Sequence, residues 1–345
     1  MSVTRPAAAT GGPQPGPPAA RAPQPRPRDP RTARPAPAPA AGDPQPADLP
    51  AGPGSLARRA TADPLFRLVA HALEVAHGRP PAAVWSAPHA FRLGSPGLVA
   101  AAGWPVAAAA APRADGLARL SSLGHPAQSC DLPLTGPYPD TPAWAARPYA
   151  LLRALARAGY GRSGTDLHVQ GTLTETAGLD LAEPLDCAVA LAVADVHTGA
   201  DEPLPARELL AGLIREAAPG DDDALRSAVL FARPGTALRL APGRAPRHVP
   251  FDPPADGTHL VLMVVRGPEE ERAAALARAV ECARRAGALR AWPPGRRAGR
   301  SVLVLLPGDR PAAVRAAVAD EFRGLGRPVP RFVNIAVAGA ARRED

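Results

Sequence analysis

The sequence predicts a mixed α/β or α+β body behind a disordered N-terminal tail. Three observations carry this. Residues 1–54 hold 16 prolines and almost nothing apolar to bury, so that segment cannot offset its chain entropy. From about residue 56 onward, runs with strand character alternate with runs of helical periodicity, the pattern of a layered α/β or α+β domain. Several helical runs carry their own start and stop signals.

Taken in order, "SLARRATADPLFRLVAHALEVAHG" places Leu65, Leu68, Val69, Ala72 and Leu73 at helical spacing. "AAVWSAPHAFRLGS" reads as a strand or loop entry, and "WPVAAAAAP" and "GLARLSSL" as strands. Residues 141–161 end in an amphipathic helix stopped by Gly159 and Gly161. A strand over 165–173 is followed by helices over 183–197 and 205–217. "TALRLA" and "THLVLMVVRG" are strands, the second a buried one. The next helix has Pro268 at its start and three Glu in its first turn, which complement the helix dipole. "SVLVLLPGDRPAAVRAAVADEFRGLGRPVPRFVNIAVAG" closes the chain as strand, helix, strand.

The charge excludes some functions. All 40 basic residues are Arg and the formal net charge is +8. Residues 1–60 carry eight Arg against three Asp, so most of that excess sits in the tail. The body has no basic stripe interleaved with aromatics, which argues against nucleic acid as a partner. The apolar stretch 97–112 is too short and too alanine-rich to span a bilayer, so no membrane is expected. The N-terminus lacks a charged start followed by an apolar run, so a cytoplasmic protein is expected. Cys130, Cys187 and Cys282 are far apart and in no metal-ligand spacing, which reads as reduced, mostly buried thiols and no zinc site.

Four stretches, in order, resemble a known family. "VWSAPHAFRLGSPG", "DLHVQGTLTETAGLDLAEPLDCAVALAVAD", "GTALRLAPGRAPRHVPFDP" and the C-terminal run from "GALRAWPPGRRAGRS" to "AGAARR" are similar in order and register to bacterial galactokinases. These are GHMP kinases, which phosphorylate small metabolites with ATP. The resemblance spans about 84–345. It implies an α+β, two-lobed GHMP-kinase-like fold with a truncated second domain. The implied organisation is a disordered Pro/Ala/Arg-rich tail over 1–55, an N-terminal-like domain over 56–218 and a shortened C-terminal-like domain over 219–345. It also implies ATP and Mg2+ as cofactors, a small sugar or nucleotide as ligand, and phosphorylation of galactose at C1 as the family reaction.

The family's chemistry does not transfer residue by residue. Its first motif has Arg, Glu, His and Asp; those positions here are Ala90, Pro96, Gly97 and Val99. Arg92, two residues after Ala90 and on the same side of a strand, is the nearest substitute cation. In the phosphate loop Gly178 and Leu179 are kept, but the serine positions are Asp180, Leu181 and Ala182, followed by Glu183 and Pro184. Carboxylates at a helix start occupy the positive end a phosphate would use; ordinary capping and a metal pair are the two readings of Asp180 and Glu183. The family's catalytic Asp falls on Leu225, within a residue or two, so the neighbouring Asp221–Asp223 run offers Asp223 as a substitute acid or is a solvated turn. The glycine-rich third motif has become Gly295, Arg296, Arg297, Ala298, Gly299 and Arg300, either an anion site or a charged surface loop. The resemblance thus implies cofactor-binding positions at Gly178, Leu179, Gly295 and Gly299, no retained catalytic residue beyond Arg92 and Asp223 as substitutes, and no protein metal site.

The family also has a longer helical block between "VLMVVRG" and "RAGALRAW". Its absence predicts an apolar face covered by a second copy or a protein partner. Three functions follow: an active sugar kinase with relocated residues, a pseudokinase kept as a binding or regulatory module, and a scaffold remnant. The substitutions favour the second.

Overall fold

The computed structural model describes residues 56–59, 62–173, 178–199, 201–295 and 299–345. The tail expected over 1–55 lies outside the described residues, as do Glu175, Arg296, Arg297 and Ala298.

The chain enters through a short 3-10 turn, Leu56–Arg58, and helix α1, Pro64–His77. The start of α1 is set by Pro64 and by Asp63, whose carboxylate accepts from the Leu65 N–H at 2.8 Å. Gly78, at φ 74°, ends it by donating to Glu74 O. The buried face is Phe66, Val69, Ala70 and Leu73, while Leu68 is exposed. The helical periodicity was therefore legible, but the face is rotated from the one the leucines suggested.

Strands β1 (Ala83–Arg92) and β2 (Leu98–Pro112) pair antiparallel, with a register shift at Pro88/His89. On its other edge β2 pairs with β5 (Thr165–Gly171), β5 runs parallel to β3 (Leu117–Ser121), and β3 hairpins with β4 (Cys130–Pro133). Alternate alanines of β2 serve two layers. Ala107, Ala109 and Ala111 pack under α1, and Ala108 and Ala110 join the larger core with helices α2 (Ala143–Arg157) and α3 (Ala182–His197). Methyl side chains let helices approach the sheet closely. Helix α3 is apolar on nearly every side, as a central helix must be.

Helices α4 (Arg207–Ala217) and α5 (Asp223–Phe231) complete that layer. Strands β6 (Thr236–Arg239) and β7 (Arg247–Pro250) extend the first sheet from β2. The chain then builds a four-stranded antiparallel sheet in the order β11 (Arg331–Ile335), β8 (Thr258–Val264), β10 (Ser301–Pro307), β9 (Arg290–Trp292). Helices α6 (Glu269–Arg285) and α7 (Pro311–Gly324) cover one face through Ala279, Cys282, Val318 and Phe322. The other face, with Leu260, Leu262 and Leu303, packs on Phe91 of β1, Ala100 of β2 and Leu179 before α3. Finally β12 (Val337–Ala338) returns to β2 and β13 (Arg342–Arg343) to β1, making the first sheet nine-stranded. Four of its strands thus come from beyond residue 218. The three cysteines are free thiols, with Cys187 and Cys282 buried.

Candidate functional site

The two sheets meet around a cleft of about 630 Å³. Three of the four family-like stretches send residues into it: Ala90 from β1, the turn Gly178–Asp180 with Ala182 and Glu183 at the start of α3, and Gly295, Gly299 and Ser301 before and at the start of β10, while Asp221, Asp222 and Leu225 enter around the start of α5. Helix α2 adds Arg147.

The turn before α3 is tied to the second sheet. Ser301 Oγ donates to Gly178 O at 2.5 Å. Gly178 sits at φ 83°, and a Cβ there would overlap the Ser301 side chain. Around Gly295 and Gly299 a Cβ would meet open space or only ordinary contact. Close approach therefore demands glycine at Gly178 and not at the other two.

The cleft is dominated by carboxylates. Asp180, Glu183, Asp221 and Asp222 line it, and Arg147 is the one guanidinium among the described lining residues. Arg147 is already engaged: Nε donates to Asp186 Oδ1 at 3.0 Å, Nη2 to Asp186 Oδ2 at 2.6 Å, and both terminal nitrogens reach Asp221. Arg92 lies outside the lining and grips Asp222 with Nε to Oδ2 at 3.0 Å and Nη2 to Oδ1 at 2.8 Å. On β1, Ala90 leaves the space where the resemblance expects a cation, and Arg92 spends its charge on Asp222.

The Asp221–Asp223 run is not one solvated turn. Asp222 is the N-cap of α5, accepting from Ala224 N at 3.0 Å. Asp223 points away from the cleft, half exposed, and holds Arg215 and the buried Arg226. Arg226 Nη2 also lies 3.7 Å from Asp221 Oδ2. Leu225, at the position counted for the catalytic acid, is a buried leucine in the cleft wall.

The two acidic residues at the α3 start differ. Asp180 is exposed and accepts from Ala182 N at 3.1 Å, a local cap. Glu183 is 2% exposed and turns inward, where Oε1 accepts from Asp222 N at 3.1 Å. Burial, with the charge of Asp180 adding to it, pushes its carboxyl up to about 7. His89 Nδ1 contacts Asp180 O at 2.8 Å, and burial holds its pKa down. Sequence reasoning missed Arg147, Asp186 and Arg226. The available signal was a charge at a position whose helical neighbours are otherwise largely apolar, clearest for Arg147 beside Ala143, Trp144, Ala150 and Leu151.

A second cavity of about 660 Å³ opens from the same turn and shares Arg147, Leu179, Asp180 and Ala182 with the first. Its walls include Val106, Leu173, Leu185 and Trp144, whose ring stacks on His125 at 5.3 Å between centroids. Among the described residues, no group of three or more His, Cys, Asp or Glu is arranged to hold a metal ion, and no helix is long and apolar enough to cross a membrane.

No protein-family model matches the chain. A galactokinase of Streptomyces coelicolor is 32% identical over 130 residues, a match that covers 35% of this chain and 34% of that protein. The chain thus matches about a third of its curated relative's length. Among solved structures, Lactococcus lactis galactokinase complexed with galactose superposes with a TM-score of 0.65 at 15% identity, covering 81% of this chain and 99% of that one. Methanococcus jannaschii mevalonate kinase gives 0.55 at 10% identity, covering 74% and 98%. A homoserine kinase from Cytophaga hutchinsonii gives 0.52 at 14% identity, covering 76% and 96%. The two-sheet α+β architecture is that of these kinases. The chain thus has the fold of these kinases, and about a third of it is similar in sequence to a galactokinase.

Proposed function

We propose that this galactokinase-like protein has kept the family cleft as a binding site for a small sugar or nucleoside-type ligand and no longer transfers a phosphoryl group. One observation carries the reading: among the described residues four carboxylates line the cleft, and the guanidinia of Arg147 and Arg92 are already bound to Asp186, Asp221 and Asp222. Phosphoryl transfer needs positioned phosphates, a metal and stabilised charge on the transferring group. A carboxylate about 4 Å from a phosphate oxygen opposes it by a few kcal/mol at an effective dielectric near 20. At the start of α3 the Ala182 N–H is taken by Asp180, so a helix end that would receive an anion is occupied from within. The described residues therefore do not suit the triphosphate of ATP with its Mg2+.

The apolar arm beside the cleft supports binding over a bare scaffold. Its Trp144 and aliphatic walls offer a flat, dry surface to a ring, and the carboxylates offer acceptors to hydroxyl groups. The test pairs thermal unfolding with a transfer assay, using galactose, adenosine and ATP–magnesium. A ligand at a hundred times its Kd stabilises by about 2.7 kcal/mol. Galactose or adenosine is expected to raise the midpoint while no galactose 1-phosphate accumulates. Catalytic formation of galactose 1-phosphate would overturn the loss of transfer. No shift with any of the three at millimolar concentration would favour the scaffold.

A further inference from the structure

A different surface of the molecule carries the cations that the cleft lacks. Along α6, Arg272, Leu276, Val280 and Arg284 recur every four residues, so they share one face of the helix. That stripe is about 18 Å long at helical rise, with a guanidinium at each end and two aliphatic side chains between. It forms one wall of a groove of about 910 Å³, and Trp292 of β9 and Val302 of β10 stand on the opposite wall. Arg300 adds a third cation at the base of β10.

The charges are unequal in their commitments. Arg272 lies 3.6 Å from Glu269, the one acid in the lining. No side-chain hydrogen bond or ion pair holds Arg284 or Arg300 among the described residues. The cleft cations are held by aspartates; these two are not. The groove's volume is that of small-molecule sites, which are concave, largely apolar and set by a few polar groups. A flat interface with a second copy would not need this concavity.

We infer that the α6–β9–β10 groove binds a small amphipathic organic anion, an acyl or aryl acid whose apolar body lies between Leu276, Val280 and Trp292 and whose acid group meets the guanidinium at one end of the groove, Arg284 or Arg300. The site is separate from the ligand proposed for the cleft, so it stands whether or not that reading holds. The two still touch. Gly299 and Ser301 border both cavities, and Trp292 Nε1 donates to Arg92 O at 2.7 Å.

The test is isothermal titration of the full chain with sodium octanoate and with 1-octanol. Octanoate is expected to bind at one site, at least about tenfold more tightly than the uncharged alcohol, because charge-assisted hydrogen bonds to a guanidinium are the stronger kind. Arg284→Glu with Arg300→Glu should lose that preference while unfolding at the wild-type temperature, and Leu276→Asp should weaken both ligands. Equal affinity for acid and alcohol, octanoate binding that survives the double Arg variant, or absence of octanoate binding at millimolar concentration would each overturn the proposal. So would a dimer in sedimentation that Leu276→Asp dissociates, since the occupant would then be a second copy.

Discussion

Arg92 and Asp222, 130 residues apart in the chain, form a two-pronged ion pair at the mouth of the cleft, with Arg92 Nη2 2.8 Å from Asp222 Oδ1 and Nε 3.0 Å from Oδ2. The pair joins the end of β1 to the first turn of α5, and both side chains are mostly shielded from solvent. Asp222 has a second task as N-cap. The two tasks separate by mutation. Asp222→Asn keeps a capping oxygen and loses the charge pair; Asp222→Ala loses both. Urea unfolding should show Asp222→Ala less stable than Asp222→Asn by about 1 kcal/mol, the usual worth of a cap. Arg92→Ala should cost about as much as Asp222→Asn, and the double variant should cost less than the sum of the singles.

Arg147 should be the costliest single charge to remove. It holds Asp186, whose side chain is 2% exposed. Burial pushes the Asp186 carboxyl up, and Arg147 pulls it back. Breaking a buried pair by deleting one partner typically costs about 3–5 kcal/mol, because a charge is left behind. Arg147→Met is expected in that range, and adding Asp186→Asn should restore part of the loss. If the second substitution restores nothing in urea unfolding, Asp186 is not the charge that Arg147 compensates.

The sequence showed the main elements and the order of four family-like stretches, because both depend on local periodicity and chain order. Helix α6, announced by Pro268 and Glu269–Glu271, begins where those signals put it. Strands β4, β7, β9 and β13 were not read, and β12 was read only as the end of the closing strand. They are two to four residues long, too short for an alternation pattern, and exist because an edge of a distant strand accepts them. The charge pairing was equally hidden. Nothing near Arg92 in the chain points to Asp222, and the Asp221–Asp223 run looks uniform although its members face three ways. Glu183 looked like a carboxylate lining a phosphate turn, but its side chain turns under α5, where the Asp222 N–H needed an acceptor.

Gly178 and Gly299 were both assigned to phosphate contact by resemblance, and they should respond differently to alanine. Gly178 has φ 83° and the Ser301 side chain where a Cβ would go. A left-handed alanine costs about 1–2 kcal/mol, and displacing Ser301 adds to it. Among the described residues, Gly299→Ala meets only the Ser301 N at 4.0 Å. Gly178→Ala should therefore lower the urea midpoint clearly, and Gly299→Ala should leave it nearly unchanged. Comparable losses at both would mean that the Gly178–Ser301 contact is not what constrains the turn.

If carboxylates close the phosphate end of the cleft, removing them should reopen it. Asp180→Ser removes the charge beside the Ala182 N–H while leaving a weaker acceptor for it, and Glu183→Gln keeps an acceptor for Asp222 N. The double variant is expected to bind ADP about tenfold or more tightly than the wild type, chiefly through loss of the Asp180 charge, since a like-charge contact near 4 Å is worth a few kcal/mol at an effective dielectric near 20. Calorimetric titration with ADP measures this. Unchanged ADP affinity would show that other features exclude the anion.

Glu183 also gives the cleft a pH signature. Burial is the largest cause that pushes its carboxyl from 4.5 up to about 7. Between those two values the folded protein holds a proton that the unfolded chain has released, so stability falls as pH rises and the loss is complete above about 7. A shift of that size corresponds to about 3 kcal/mol. His168 acts in the opposite sense. Burial pushes it down from 6.5 to about 4, so the unfolded chain binds the extra proton and stability rises with pH across that window. The wild-type profile sums both, and the difference from a variant isolates Glu183. Glu183→Gln cannot titrate and keeps the contact to Asp222 N. In urea unfolding its stability relative to wild type should climb steadily from pH 5 to pH 8. A difference that stays flat over that range would mean that Glu183 remains ionised in the folded protein down to the ordinary carboxylate range, with its burial compensated from elsewhere in the cleft.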